Sequence, residues 1–176
     1  MKQLTTMLMG ALLLLAACSK KDKQKDDIGC APAPVSCNMP EVYAANETKR
    51  TITQGLWGTL AFQEGNCMPV QDPNNTTCRT CPVQRKLRIY PYTMLQHVLP
   101  VNGSFYDGFP NSPVATVVPD AQGFFQVALP DGQYSVLAEE DGRLYAFGWD
   151  GQGGVSPVTV SGVTKWNLTF NYKATF

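Results

Sequence analysis

Histidine is almost missing from this chain of 176 residues: His97 is its one imidazole. That excludes catalysis by paired histidines and most histidine-rich metal centres. An excess of charge is missing too, because 14 basic residues balance 14 acidic ones. No global field recruits nucleic acid or steers an acidic substrate, so no nucleic-acid partner is expected. The apolar run Met7–Ala17 has 11 residues, against about 20 for a transmembrane helix. Nor does the sequence hold a nucleophile–base pair, a carboxylate dyad at helical spacing, or a D-x-D-x-D ladder that would concentrate oxygens for calcium. The chain is expected to be no enzyme and to carry neither a cofactor nor a resident metal.

What it does have is aromatics at 10%, with 15 glycines and 13 prolines, a mixture typical of short strands joined by tight turns. The clearest signal is at the C-terminus. From Lys165 to Phe176 every even position is apolar (Trp166, Leu168, Phe170, Tyr172, Ala174, Phe176) and every odd one is polar. A helix would scatter those side chains all round, whereas a strand gathers them on one face, which predicts one long half-buried strand. Shorter alternations surround Leu56–Gln63, Leu87–Tyr92, Phe125–Leu129 and Tyr134–Ala138. Val114–Val118, Arg143–Gly148 and Val155–Val160 add further strand-like runs. This makes about eight short strands and no convincing helix, and so an all-β sandwich or barrel.

The N-terminus reads as an address. Lys2 precedes the apolar run, which is the right length for a signal-peptide core. The run ends in Leu15-Ala16-Ala17-Cys18, which resembles the lipobox of bacterial lipoproteins: small residues precede the cut, and the Cys18 thiol takes up the diacylglycerol. Residues 1–17 are then the signal peptide, and the mature chain is held to a membrane through acyl chains on Cys18. The nine residues after it, SKKDKQKDD, contain four lysines, three aspartates and nothing apolar, as a solvated tether does. Residues 18–50 are read as tether and linker, with the structure of Glu41–Arg50 left open, and 51–176 as the folded domain. The expected location is the outer membrane. Lys25-Asp26-Asp27 is similar to surface-export signals, but a plain spacer accounts for it equally, so the periplasmic and surface placements both stay open.

Two Asp-Gly pairs, Asp131-Gly132 and Asp141-Gly142, look at first like a carboxylate site. Asp-Gly also suits the positive φ of hairpin turns, and Asp141-Gly142 lies between two strand patterns where such a turn is needed. The expectation is therefore turns and not a cation site recruiting Asp120, Asp131, Asp141 or Asp150.

From Pro119 the chain reads Asp120-Ala121-Gln122-Gly123-Phe124-Phe125, then Leu129-Pro130-Asp131-Gly132-Gln133-Tyr134. This resembles the D-x-x-G-x-F…L-P-x-G-x-Y signature of carboxypeptidase regulatory-like domains. Gly58-Thr59-Leu60 followed by Gly65…Pro69 is similar to their opening strand and turn. The resemblance spans about Gln54–Phe176 and implies a transthyretin-like Greek-key β-sandwich of about seven to eight strands. It implies a fold and a role as an envelope-associated accessory module, not peptidase activity. Enzymes of this architecture do not match: the hydroxyisourate hydrolases need several histidines and a Tyr-Arg-Gly-Ser ending, whereas this chain reads Tyr172-Lys173-Ala174-Thr175-Phe176. Intradiol dioxygenases need a second histidine.

Cysteines and aromatics are the remaining site candidates. With Cys18 lipidated, Cys30, Cys37, Cys67, Cys78 and Cys81 remain, and an exported chain is expected to pair them as disulfides, with one of the five left over or bonded outside the chain. Cys30 with Cys37 would close a small loop in the tether, and Cys67 with Cys78 or Cys81 would hold the insert Gln71–Gln84. A second reading makes Cys67, Cys78 and Cys81 a thiol-redox or, with His97, a zinc site. His97 itself is expected at the surface or in a hydrogen-bonded loop. Trp166 is expected in the core, while Trp57 is out of phase with Leu56 and Leu60. Tyr145, Trp149 and Asp150 are the candidate contact surface, beside the glycine-rich stretch Gly151–Gly154, for a glycan or protein ligand. The protein is expected to act as a monomer.

Overall fold

The computed structural model describes residues 36–69, 76–98 and 100–176. The signal-peptide run, Cys18, Cys30 and the charged stretch after Cys18 lie outside the described residues. In chain order the elements are α1 (Met39–Glu47), β1 (Gly55–Asn66), β2 (Arg79–Pro82), β3 (Leu87–Pro91), β4 (Pro100–Asn102), β5 (Phe105–Tyr106), β6 (Ala115–Val117), β7 (Phe124–Val127), β8 (Gly132–Glu140), β9 (Arg143–Ala146), β10 (Pro157–Val160), β11 (Val163–Lys165) and β12 (Leu168–Thr175). The described strands form two sheets of five and seven, and the fold is an all-β sandwich.

Each sheet is organised around one long strand. In the first, β1 is flanked on one side by β7 and then β2, both antiparallel, and on the other by β11 and then β12, both parallel. In the second, β8 pairs with β3 on one side and with β10 and then β9 on the other. β6 borders β3, and β5 followed by β4 extends the sheet beyond β9.

The core lies between the sheets. Leu56, Leu60, Phe125, Leu168 and Phe170 of the first sheet meet Leu87, Ile89, Val136, Ala138, Tyr145, Val158 and Val160 of the second. Strand alternation sends the neighbours of these residues to the outer faces. On the outer face of the second sheet, Tyr90, Leu137, Leu144 and Ala146 build another buried cluster with Tyr106, Val98 and Val155. A polar tie also crosses the sandwich: buried Glu140 accepts a hydrogen bond from Tyr172 Oη (2.8 Å) and one from Arg85 Nε.

Three expectations change. The long strand predicted for Lys165–Phe176 is interrupted at Trp166 and Asn167. There the Asn167 side chain takes over from backbone pairing, its Oδ1 accepting the Thr59 N–H at 3.0 Å. Trp166 N–H donates to the Trp57 carbonyl at 2.8 Å. Gly58 permits the close approach, since a Cβ there would lie 2.0 Å from the Trp166 carbonyl oxygen. The strand number also rises to twelve among the described residues, because that run divides and because β2, β4 and β5 are too short to show periodicity.

The third change concerns residues 36–50, read as part of a tether. They belong to the folded unit. α1 starts at a proline-bearing first turn, where the missing N–H costs nothing. Met39 and Val42 are buried against Ala61 on the outer face of β1, with Tyr43 packed beside them. Asn46 is fully buried and donates through Nδ2 to Thr59 Oγ1 and the Gln122 carbonyl, both at 2.9 Å. A helix of nine residues is marginal alone, so tertiary packing holds it.

Candidate functional site

Two disulfides form among the described residues, Cys37–Cys81 and Cys67–Cys78. The pairing differs from the expected Cys30–Cys37 loop: Cys37 reaches across to β2 and ties the start of α1 to the first sheet. Cys67–Cys78 is one of the two alternatives left open for the insert. The two sulfurs of Cys78-Arg79-Thr80-Cys81 thus go to different partners, so the motif is not one dithiol pair. Cys67, Cys78 and Cys81 carry no thiolate for zinc in this state. His97 lies on an exposed single turn of 3₁₀-helix, Leu95–His97, with Nε2 3.2 Å from Gln96 Nε2. Both disulfides are compatible with an extracytoplasmic protein.

The aspartates lie in turns and at strand ends. Asp141 (φ 49°) and Gly142 (φ 78°) form the two-residue turn between β8 and β9, with both φ positive as in a type I′ hairpin. Asp131 makes no hairpin; it precedes β8 at the crossover from the first sheet, and its Oδ1 accepts the Gly162 N–H at 2.8 Å. Among the described residues no group of three or more His, Cys, Asp or Glu is placed to hold a metal. Calcium and chelator are therefore expected to leave the melting temperature unchanged. Asp141→Asn should shift stability by no more than about 0.5 kcal/mol. Gly142→Val should cost on the order of 1–3 kcal/mol, because a β-branched residue is forced to positive φ. A melting temperature raised by calcium and lowered by chelator would return these residues to a binding role.

Asp120 and Asp150 show a regularity that the sequence reading missed. Asp120-Ala121-Gln122-Gly123 and Asp150-Gly151-Gln152-Gly153 share the pattern D-x-Q-G. In each, Oδ1 accepts the backbone N–H of the glutamine and of the residue after the glycine, at 2.7–2.9 Å. Each glycine has positive φ. The pattern is a turn module used twice, legible as a four-residue repeat. Asp150 Oδ2 also accepts the Tyr92 hydroxyl at 2.9 Å. The hydrogen bonds, first that from Gly154 N–H, hold the Asp150 carboxyl below the ordinary aspartate range.

The candidate contact surface does not assemble as expected. Tyr145 is buried among Phe105, Phe147, Phe170 and Tyr172, its hydroxyl donating to Asn171 Oδ1 at 2.9 Å. Burial pushes its phenol up. Asp150 is committed to its loop, and Trp149 alone is open, at 48% exposure. Trp57 is buried, flanked by Lys165 and Arg50 at 5.2 and 5.9 Å from the ring centre. Trp166 packs against the core.

Trp149 nevertheless points to a concave site. Its Nε1 donates to the buried Tyr106 hydroxyl at 3.2 Å. Tyr106 meets Phe109 edge-on at 6.0 Å, and Phe109 lies 4.6 Å from Tyr90, centre to centre. This aromatic row leads to a groove of about 300 Å³ on the outer face of the second sheet. Its floor comes from β3, β8 and β9, and its wall is the loop Asp107–Pro113.

The polar lining is Arg88, Asp107, Asn111, Ser112, Glu139 and Arg143. Arg88 and Lys86 both pair with Glu139, and Arg143 Nε lies 3.3 Å from Asp107 Oδ1. The Glu139 carboxyl is held below its ordinary range, first by the Lys86 hydrogen bond and then by Arg88. The same pairing raises Arg88, and burial raises the Tyr90 phenol. The lining thus presents donors and acceptors with its charges mutually compensated. No single stretch of sequence holds this groove, since its parts come from three separated segments.

Comparisons with family models, with curated proteins and with solved structures found no match to this chain.

Proposed function

We propose that this is a non-catalytic lipoprotein of the bacterial outer membrane, whose sandwich is a binding or structural accessory module. The observation that carries the reading is Leu15-Ala16-Ala17-Cys18, placed directly after an apolar run of signal-peptide length and before a wholly polar stretch. Disulfides at Cys37–Cys81 and Cys67–Cys78 support the same export route. Several acyl chains on one cysteine give effectively permanent anchoring, since each buried methylene contributes about 0.8 kcal/mol.

The carboxypeptidase regulatory-like assignment belongs to this proposal. Its support is the structural duty of each signature residue. Asp120 closes the turn before β7, and Gly123 has φ 71° with its Cα against β1, where a Cβ would lie 2.2 Å from the Leu60 carbonyl oxygen. Phe125 and Leu129 are core residues. Tyr134 returns its hydroxyl to the Pro130 carbonyl at 3.0 Å. These are the duties of a turn-and-core signature, which is why it speaks for fold and not for catalysis.

Cys18→Ser is expected to abolish metabolic labelling with palmitate and to release the protein into the soluble envelope fraction. Continued lipid labelling of that variant would overturn the anchoring.

A further inference from the structure

We infer that the groove walled by Asp107–Pro113 binds a neutral saccharide, with Asp107, Asn111 and Arg143 reading its hydroxyls and Phe109 taking the apolar face of a ring. The inference rests on the reading of the sandwich as a binding module and names the ligand class and the place.

Charge decides against an ionic ligand. Arg88 and Arg143 each have an acidic partner in the groove, and Glu139 is shared between two cations, Lys86 and Arg88. The charged side chains that line the groove are two arginines and two carboxylates, so an anion or a zwitterion must compete with a pair already formed. A hydroxyl group needs none. Each one donates and accepts, and the paired guanidinium and carboxylate groups keep N–H bonds and lone pairs to spare. Asn111 adds an amide and Ser112 a hydroxyl, each able to do both.

Apolar complementarity points the same way. Phe109 is only partly buried, and its ring is fixed from behind by Tyr90 and Tyr106. Trp149 extends the row from Tyr106. A rigid aromatic wall beside hydrogen-bonding side chains suits the pyranose ring, whose C–H face is apolar and whose rim is polar. The volume of about 300 Å³ is at the small end of the range for ligand pockets, about 300–1,000 Å³. It takes one ring and part of its neighbour, not a long chain or a folded partner.

The test is an amide-resolved NMR titration of the purified protein with maltotriose, cellobiose, N,N′-diacetylchitobiose, galactose and mannose, with glycylglycine and inorganic phosphate as charged controls. At least one saccharide at about 10 mM, roughly ten times a Kd of 1 mM, should shift Asp107, Phe109, Asn111 and Gly142 together. Asp107→Ala and Arg143→Ala change exposed side chains and should keep the fold, yet each should weaken that binding about tenfold or more, as loss of a charged hydrogen-bond partner does. Raising salt from about 0.05 to about 0.5 M should leave the affinity unchanged, because screening acts on charged ligands. Shifts with glycylglycine or phosphate alone, saccharide shifts confined to Trp149 and its loop, or no shift with any saccharide would each overturn the inference. A Cys18→Ser protein that keeps its lipid but binds saccharide in the groove would sink the anchoring alone; lost lipid without saccharide binding would sink this inference alone.

Discussion

Phe170→Ala is expected to destabilise the protein by about 3–5 kcal/mol, the range for truncating a buried aromatic. Phe170 is fully buried, and Phe62, Tyr145, Phe147 and Tyr172 lie around it with ring centres 5.0–6.3 Å away. The site collapses poorly after truncation, because Phe62, Phe105, Tyr145 and Tyr172 also brace one another. Rings locked by several neighbours cannot move into the space, so most of the cavity term remains. Thr169→Ala, one residue away and pointing to the other face, should cost less than about 1 kcal/mol. Denaturant unfolding of the two variants measures both. Equal losses would mean that the phase of β12 is wrong.

That phase was legible because alternation is a strictly local signal, and Leu168 and Phe170 are buried as it requires. The break at Trp166–Asn167 was not, since it depends on Gly58 in a strand more than a hundred positions earlier. The turn at Asp141-Gly142 could be read from two residues because positive φ is a property of those residues themselves. α1 could not. Its apolar residues Met39, Val42 and Tyr43 are few, and what they bury against, Ala61, lies on the outer face of a sheet that the local sequence does not announce.

The candidate site divides along the same line. Trp149 was legible as a contact residue from its place next to a glycine-rich loop, a composition signal, and it is exposed. The groove was not, because Arg88, Glu139 and Arg143 meet only through strand pairing of β3, β8 and β9, and the loop with Asp107 and Asn111 follows β5, which pairs with β9. A hint was present in Asp107-Gly108-Phe109-Pro110-Asn111-Ser112-Pro113, an aromatic set in a rigid polar loop, which is an unusual place for a phenylalanine unless something packs on it.

Disulfide pairing was the least legible feature, since five cysteines allow many partners, and it carries the second large effect. Removing Cys37–Cys81 by paired serine substitution is expected to cost about 4 kcal/mol, against about 3 kcal/mol for Cys67–Cys78, on the loop-entropy relation. The order follows from sequence separations of 44 and 11. The first loss should also be felt locally. Cys37 stands immediately before α1, whose hold on β1 is otherwise Met39, Val42 and the Asn46 hydrogen bonds. In Cys37→Ser/Cys81→Ser the amides of α1 should exchange with solvent well before those of β1 and β8. In Cys67→Ser/Cys78→Ser they should keep their protection. Peptide mapping without reduction should recover Cys37 joined to Cys81 and Cys67 joined to Cys78. Recovery of a Cys78–Cys81 bridge instead, together with equal destabilisation by the two double variants, would dissolve the clip on α1 and restore the C-x-x-C as a redox pair.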